Sequence, residues 1–123
     1  LPLMGLIAAG EPIEALENPE MVDVPVSLLH PDHYVLQVKG NSMIDEQIHD
    51  KDYIVARKTN TARSGQIVVA LINGEATLKY YVQGPGGVEL HPRNPDFPII
   101  KVDPKDDFHI NGVLLYSFRN YLN

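Results

Sequence analysis

Ser42 and Lys79 are the two side chains of this sequence that could together break an amide bond, and Ala9–Gly10 is a bond they could break. Ser42 stands in Gly40-Asn41-Ser42-Met43-Ile44-Asp45, at an expected strand-to-turn transition after Lys39, where a hydroxyl can project from a rigid scaffold. The main-chain N–H groups of Asn41 and Ser42, at the N-terminal end of a short turn, could hold a developing oxyanion. The plainer reading of Ser42 is a helix cap, with Asp45 three residues on completing a capping pair. One hydroxyl cannot serve both roles fully at once. Lys79 stands in Ala76-Thr77-Leu78-Lys79-Tyr80. To take a proton it must be neutral, against an ordinary pKa of about 10.4, and burial among apolar groups can bring that value down toward neutrality. A lysine on an exposed sheet face is the commoner case. Five histidines are present (His30, His33, His49, His91 and His109), but none sits in a pattern that names it as a triad base.

The candidate substrate lies in Ala8-Ala9-Gly10-Glu11-Pro12. Small side chains on both sides of Ala9–Gly10 let a bond enter a cleft closely, and Gly10 permits backbone angles that other residues avoid. Pro12 argues against a regular strand just downstream. Leu6 and Ile7 could anchor the segment in an apolar groove, and docking there would expel water from Lys79. Taken alone, the segment reads as an ordinary flexible arm.

The elements that must position these residues are β-strands. Tyr34–Lys39 and Tyr53–Arg57 are strand candidates, and Gln66–Ile72 is nearly all apolar, as a strand buried on both faces would be. Val113–Phe118 has the same character. Asn73-Gly74 between apolar runs predicts a type I′ hairpin. That turn sets a register: Ile72 faces Glu75, Ala70 faces Thr77 and Val68 faces Lys79, with Leu71–Ala76, Val69–Leu78 and Ile67–Tyr80 on the other side. Lys79 is thereby expected among Val68, Ala70 and Thr77, unless a bulge flips the face. Gly84-Pro85-Gly86-Gly87 reads as a turn and residues 91–105 as loop. The glycines and prolines of residues 1–25 read as an irregular or edge-strand arm. The helix signal is confined to the short turn through Ile44.

At 123 residues the chain is one domain, an arm over residues 1–25 followed by a core over residues 26–123. With no cysteine it forms neither disulfides nor thiolate metal sites, which suits a cytoplasmic setting. A net charge of −6 and the absence of a Lys/Arg stripe weigh against nucleic-acid binding by these residues. No apolar segment approaches the ~20 residues of a membrane span. Leu3–Ala9 faintly mimics the end of a signal peptide but lacks a basic flank; the start reads as a truncation, with a further domain expected upstream. His30, Asp32 and His33 could in principle contribute to a metal site, but no complete ligand set is visible and ordinary loop roles are expected. No cofactor is expected.

Together, in this order, the three motifs resemble the self-cleaving C-terminal domain of the LexA repressor family, serine-lysine peptidases that also include UmuD-type proteins and phage repressors. Leu1-Pro2-Leu3 with Gly5 and Ala8-Ala9-Gly10-Glu11-Pro12 resemble the hinge and cleavage segment. Val38-Lys39-Gly40-Asn41-Ser42-Met43 resembles the nucleophile strand and turn, Gly74-Glu75-Ala76-Thr77-Leu78-Lys79 the strand carrying the base, and Gly112–Tyr121 the closing strand. The resemblance implies a mainly β fold of twisted, mostly antiparallel sheets with very little helix, of the LexA/signal-peptidase-like kind. It implies Ser42 as nucleophile, Lys79 as general base, the N–H groups of Asn41 and Ser42 as oxyanion hole, and Ala9–Gly10 as scissile bond. It further implies a homodimer; the apolar strand Val113–Phe118 is the candidate interface, because an exposed apolar edge would otherwise invite aggregation. A RecA filament on single-stranded DNA would act as coprotease, and operator DNA would be bound only by the missing N-terminal domain. Lys51, in the turn Asp50-Lys51-Asp52, stands where the family often has glycine. Two other readings are an UmuD-like polymerase accessory protein, which characteristically carries Cys-Gly where this chain has Ala9-Gly10, and a non-catalytic β domain used for dimerisation, in which Lys79 would be exposed or far from Ser42.

Overall fold

The computed structural model describes the backbone of residues 3–8, 11–14 and 24–121, and the side chains of 24–121. Nine strands follow in chain order: β1 (Leu3–Ala8), β2 (Glu11–Glu14), β3 (His33–Lys39), β4 (Tyr53–Lys58), β5 (Ile67–Ile72), β6 (Glu75–Gly84), β7 (Gly87–His91), β8 (Ile100–Lys101) and β9 (Phe108–Phe118). They form one sheet in the order β2-β1-β3-β4-β9-β5-β6-β7-β8, which curls until β2 also pairs with β6. Among the described pairings only β1–β3 is parallel. Helix is limited, among the described residues, to two single 3₁₀ turns, Val26–Leu28 and Ile44–Glu46. None is long or apolar enough to cross a membrane. The mainly β, mostly antiparallel architecture expected from the motifs is the one observed.

Alternation along the strands divides the apolar residues between clusters. Leu36, Val38, Ile54, Ala56, Val69, Ala76 and Leu78 pack with Met43 and Ile48 from the Ser42 turn. Val68, Ala70, Tyr81, Leu90 and Val113 form a second cluster, and Val35, Tyr53 and Val55 a third. The Asn73-Gly74 hairpin has positive φ at both residues, +52° and +82°, as a type I′ turn requires. Its six cross-strand pairs are those expected, with no bulge.

Two expectations need correction. Pro12 lies within β2; the strand is tolerated because its described partners fall at Glu11 and Glu14, so no ladder position calls on the missing proline N–H. Val113–Phe118 is not buried on both faces. It is the end of the longer β9, and Leu115, Tyr116 and Ser117 are exposed. Nor is it simply an edge: β9 lies between β4 and β5, but β5 pairs with it only up to Val113, whereas β4 continues to Phe118.

Lys51 adopts φ +72°. That left-handed backbone explains why a glycine suits the position. The turn is held regardless, by Lys51 N–H donating to the Val38 carbonyl and Val38 N–H donating to the Asp52 carbonyl, both at 2.7 Å. Asp52 is itself buried and accepts His49 N–H at 2.8 Å and the Arg119 guanidinium through both oxygens, at 2.5 and 2.9 Å. Burial alone would push the Asp52 carboxyl up, but the Arg119 and His49 hydrogen bonds outweigh it and hold it below its ordinary value. This group therefore stabilises the fold above about pH 4, and the contribution is lost as pH falls through the lowered folded value. Removing one partner of such a pair strands the other's charge. Arg119→Ala should thus be less stable in urea than Arg119→Ala/Asp52→Asn, which keeps an acceptor for His49 N–H without a charge. The reverse order would show that the pair is dispensable.

Candidate functional site

Ser42 and Lys79, 37 residues apart, meet in the interior: Lys79 Nζ donates to Ser42 Oγ at 3.1 Å. Ser42 does not cap the turn that follows it. The capping position of the 3₁₀ turn Ile44–Glu46 belongs to Met43, without a side-chain hydrogen bond, and the Ser42 hydroxyl is turned to the lysine instead. The turn is closed by the backbone, through Ile44 N–H to the Asn41 carbonyl and Glu46 N–H to the Met43 carbonyl. Gly40, with φ +95°, makes the sharp exit from β3 that a residue with a Cβ would resist.

The hairpin register carries Lys79 to this place. Its cross-strand partner Val68 and the diagonal neighbour Ala70 are wholly buried, and Lys79 itself is 1% exposed. Two further oxygens meet its amine: Thr77 Oγ1 at 2.6 Å and the Leu78 carbonyl at 3.2 Å. Thr77, two residues before Lys79, lies on the same face of β6, as the hairpin register leads one to expect. All three partners are neutral, so nothing offsets the cost of a buried ammonium. Burial brings the Lys79 amine down to about 8. The inventory of hydrogens has a chemical consequence. An ammonium donates to all three oxygens. A neutral amine has two N–H bonds, which Thr77 and Leu78 can accept, leaving its lone pair for the Ser42 hydroxyl proton. Such an arrangement can activate a serine by general-base removal of its proton.

The turn bearing Ser42 is braced from two sides. Asp50 Oδ1 accepts Gly40 N–H at 2.7 Å, and Asn41 Oδ1 accepts Asp50 N–H at 2.9 Å. From the loop after β7, Arg93 N–H donates to the Ser42 carbonyl at 2.8 Å and Asn94 Nδ2 to the Asn41 carbonyl at 2.8 Å. Asp45 N–H returns a bond to the Arg93 carbonyl at 2.7 Å, and the Arg93 guanidinium lies 3.9 Å over the Tyr80 ring. The segment read as plain loop is thus a brace, and its residues carry no motif that announces it. No described acceptor takes the main-chain N–H of Asn41 or Ser42.

Ala9 and Gly10, the expected scissile pair, lie outside the described residues. Ala8 pairs with Lys39, three residues before Ser42, and Glu11 pairs with Ala76, three residues before Lys79. The arm therefore joins the two strands that deliver the serine and the lysine. His30 and His33 gather no metal site: their rings lie 4.9 Å apart, His30 Nδ1 accepts Asp32 N–H, and His33 Nδ1 donates to the Leu28 carbonyl. Among the described residues no cluster of metal-ligating side chains is present.

The Peptidase S24-like family model matches residues 2–115, and the chain belongs to that family, which is one of serine peptidases. Within it the likeness is to the LexA-type C-terminal domain. The chain is 48% identical over 123 residues to the LexA repressor of Syntrophotalea carbinolica, covering 98% of this chain and 60% of that protein. It is 47% identical over 123 residues to the LexA repressor of Erythrobacter litoralis (98% and 52%), and 47% identical over 125 residues to that of Pseudothermotoga lettingae (98% and 62%). It spans about half to three fifths of the length of these relatives.

Proposed function

We propose that this chain is the self-cleaving domain of a LexA-type repressor and cuts its own Ala9–Gly10 bond, with Ser42 as nucleophile and Lys79 as general base. The observation that carries the proposal is a lysine amine, buried and without a counter-charge among the described residues, 3.1 Å from a serine hydroxyl. The same observation counts against a purely structural β domain, in which Lys79 would be exposed or distant.

Ser42 Oγ attacks the Ala9 carbonyl carbon as its proton passes to Lys79 Nζ. The carbonyl oxygen becomes an oxyanion held by the N–H groups of Asn41 and Ser42. The C–N bond then breaks, Lys79 returns the proton to the Gly10 nitrogen, and an ester of Ala9 on Ser42 is hydrolysed by water. The arm would undergo this chemistry once. In the full repressor, cleavage would separate an operator-binding domain from this one, and a RecA filament on single-stranded DNA would raise the population of the cleavable arrangement. The exposed Leu115 and Tyr116 on the half-paired end of β9 support a homodimer through Val113–Phe118.

Intact-mass spectrometry of the chain incubated from pH 6 to pH 10, beside Ser42→Ala, tests the proposal. The expected result is a species beginning at Gly10 that forms faster toward alkaline pH and is absent from Ser42→Ala. Cleavage at Ala9–Gly10 in Ser42→Ala would overturn the mechanism.

A further inference from the structure

We infer that Asn94 is a positioning residue for the oxyanion hole, acting through the Asn41–Ser42 peptide plane; this rests on the proposed self-cleavage. The Asn41 carbonyl receives two hydrogen bonds, from Asn94 Nδ2 at 2.8 Å and from Ile44 N–H at 3.3 Å. A trans peptide is planar, with its C=O and N–H pointing in opposite directions. Fixing the Asn41 carbonyl toward Asn94 therefore fixes the Ser42 N–H away from it. That N–H has no acceptor among the described residues, so it is available to the oxyanion.

The bond from Asn94 is the stronger of the two by distance and comes from outside the turn, 53 residues away in sequence. Ile44 N–H belongs to the turn itself and would follow it if the peptide rotated. Asn94 is held in its turn: its Oδ1 accepts Asp96 N–H at 3.0 Å, which leaves Nδ2 as the end facing Asn41. Its neighbour Arg93 fixes the next carbonyl, that of Ser42. Without the Asn94 donor, the plane must be re-aimed when the oxyanion forms, and that reorganisation slows the step. Lys79 and its three oxygen partners are not touched by this bond, so the proton chemistry is unaltered.

The test compares the 123-residue chain with Asn94→Leu, of similar size but with neither donor nor charge, and with Asn94→Ala should the first fail to fold. Two rates are read: self-cleavage from pH 6 to pH 10, and phosphonylation of Ser42 by a fluorophosphonate, whose P=O oxygen calls on the same N–H. Both should fall about ten- to a hundredfold, with the pH midpoint of cleavage unmoved and the urea midpoint little changed. Wild-type rates in both variants would overturn the inference and leave the proposed function standing. A slower reaction with a displaced pH midpoint would also overturn it, because Asn94 would then act through Lys79. A wild-type chain that neither cuts itself nor reacts with the fluorophosphonate would remove the proposed function and this inference with it.

Discussion

Lys79→Met should leave the chain uncut at every pH and at the same time make it more stable at pH 7. Methionine fills nearly the same buried volume with an unbranched apolar chain but cannot take the Ser42 proton. The stability gain follows from the amine's position between neutral oxygens. Its folded value of about 8 lies below the ordinary lysine value of 10.5. Between these two values the unfolded chain binds the proton and the folded chain does not, so stability rises with pH from about 8 to about 10.5. Below about pH 8 both states carry the proton, and the whole cost of the buried ammonium, about 3 kcal/mol, bears on the fold. Losing the donor to Thr77 Oγ1 and the Leu78 carbonyl offsets part of the gain, leaving a net of about 1–3 kcal/mol.

Urea unfolding of Ser42→Ala and of Ser42→Ala/Lys79→Met, both uncleavable, reads this directly. The first should gain stability from pH 8 to pH 10; the second should not show that rise. Parallel curves would mean that the lysine is not held toward its neutral form. In the cleavable chain the rate should climb about tenfold per pH unit below pH 8 and level off above it. Lys79→Arg should be inactive too, since guanidinium stays protonated, and it should lose stability, because a larger and permanent charge enters the same buried site.

Gly112→Ala should cost the fold about 1–3 kcal/mol or more, through crowding and not through backbone conformation. Gly112 is buried in β9, paired with Lys58 of β4 on one side and Val69 of β5 on the other. A methyl group there would meet the Tyr34 hydroxyl and stand 3.0 Å from the Arg57 carbonyl. Neither yields cheaply. The Arg57 carbonyl belongs to the sheet backbone. The Tyr34 hydroxyl donates to the Asn111 carbonyl at 3.2 Å and accepts Asn111 Nδ2 at 3.1 Å. Burial, opposed by the Asn111 bond, pushes this phenol up to about 12. Chemical denaturation of Gly112→Ala, Tyr34→Phe and the double variant separates the causes. The double variant should recover part of the loss, because the nearest obstructing atom is gone. Additive losses would place the strain at Arg57 alone.

The hairpin shows what local sequence can decide. Asn73-Gly74 admits positive φ at both residues, and the period of two then assigns every side chain of β5 and β6 to a face. The pairing of Lys79 with Val68 is therefore legible in the sequence, and with it the burial that tunes the amine. Strands β3, β4 and β5 were readable for the same reason, each being a short apolar or β-branched run between turn residues. The cap at Ser42 shows the opposite case. A serine before a turn has a strong local preference to bond the turn's own N–H groups, and sequence proximity cannot register a competing lysine that arrives from 37 residues away. The exposure of Leu115–Ser117 is likewise illegible in the sequence, since apolar composition does not reveal that β5 stops pairing at Val113.

By itself, then, the sequence determined the strands, the hairpin register and the three motifs whose joint order pointed to a serine-lysine peptidase family, because all of these depend on neighbours in the chain or on a single tight turn. Tertiary structure alone decided that Ser42 turns to Lys79, that β1 and β2 join β3 and β6, and that Arg93 and Asn94 hold the serine turn. Each of those contacts depends on how far the sheet curls and where β9 inserts, and those are set by the summed packing of residues distant in sequence.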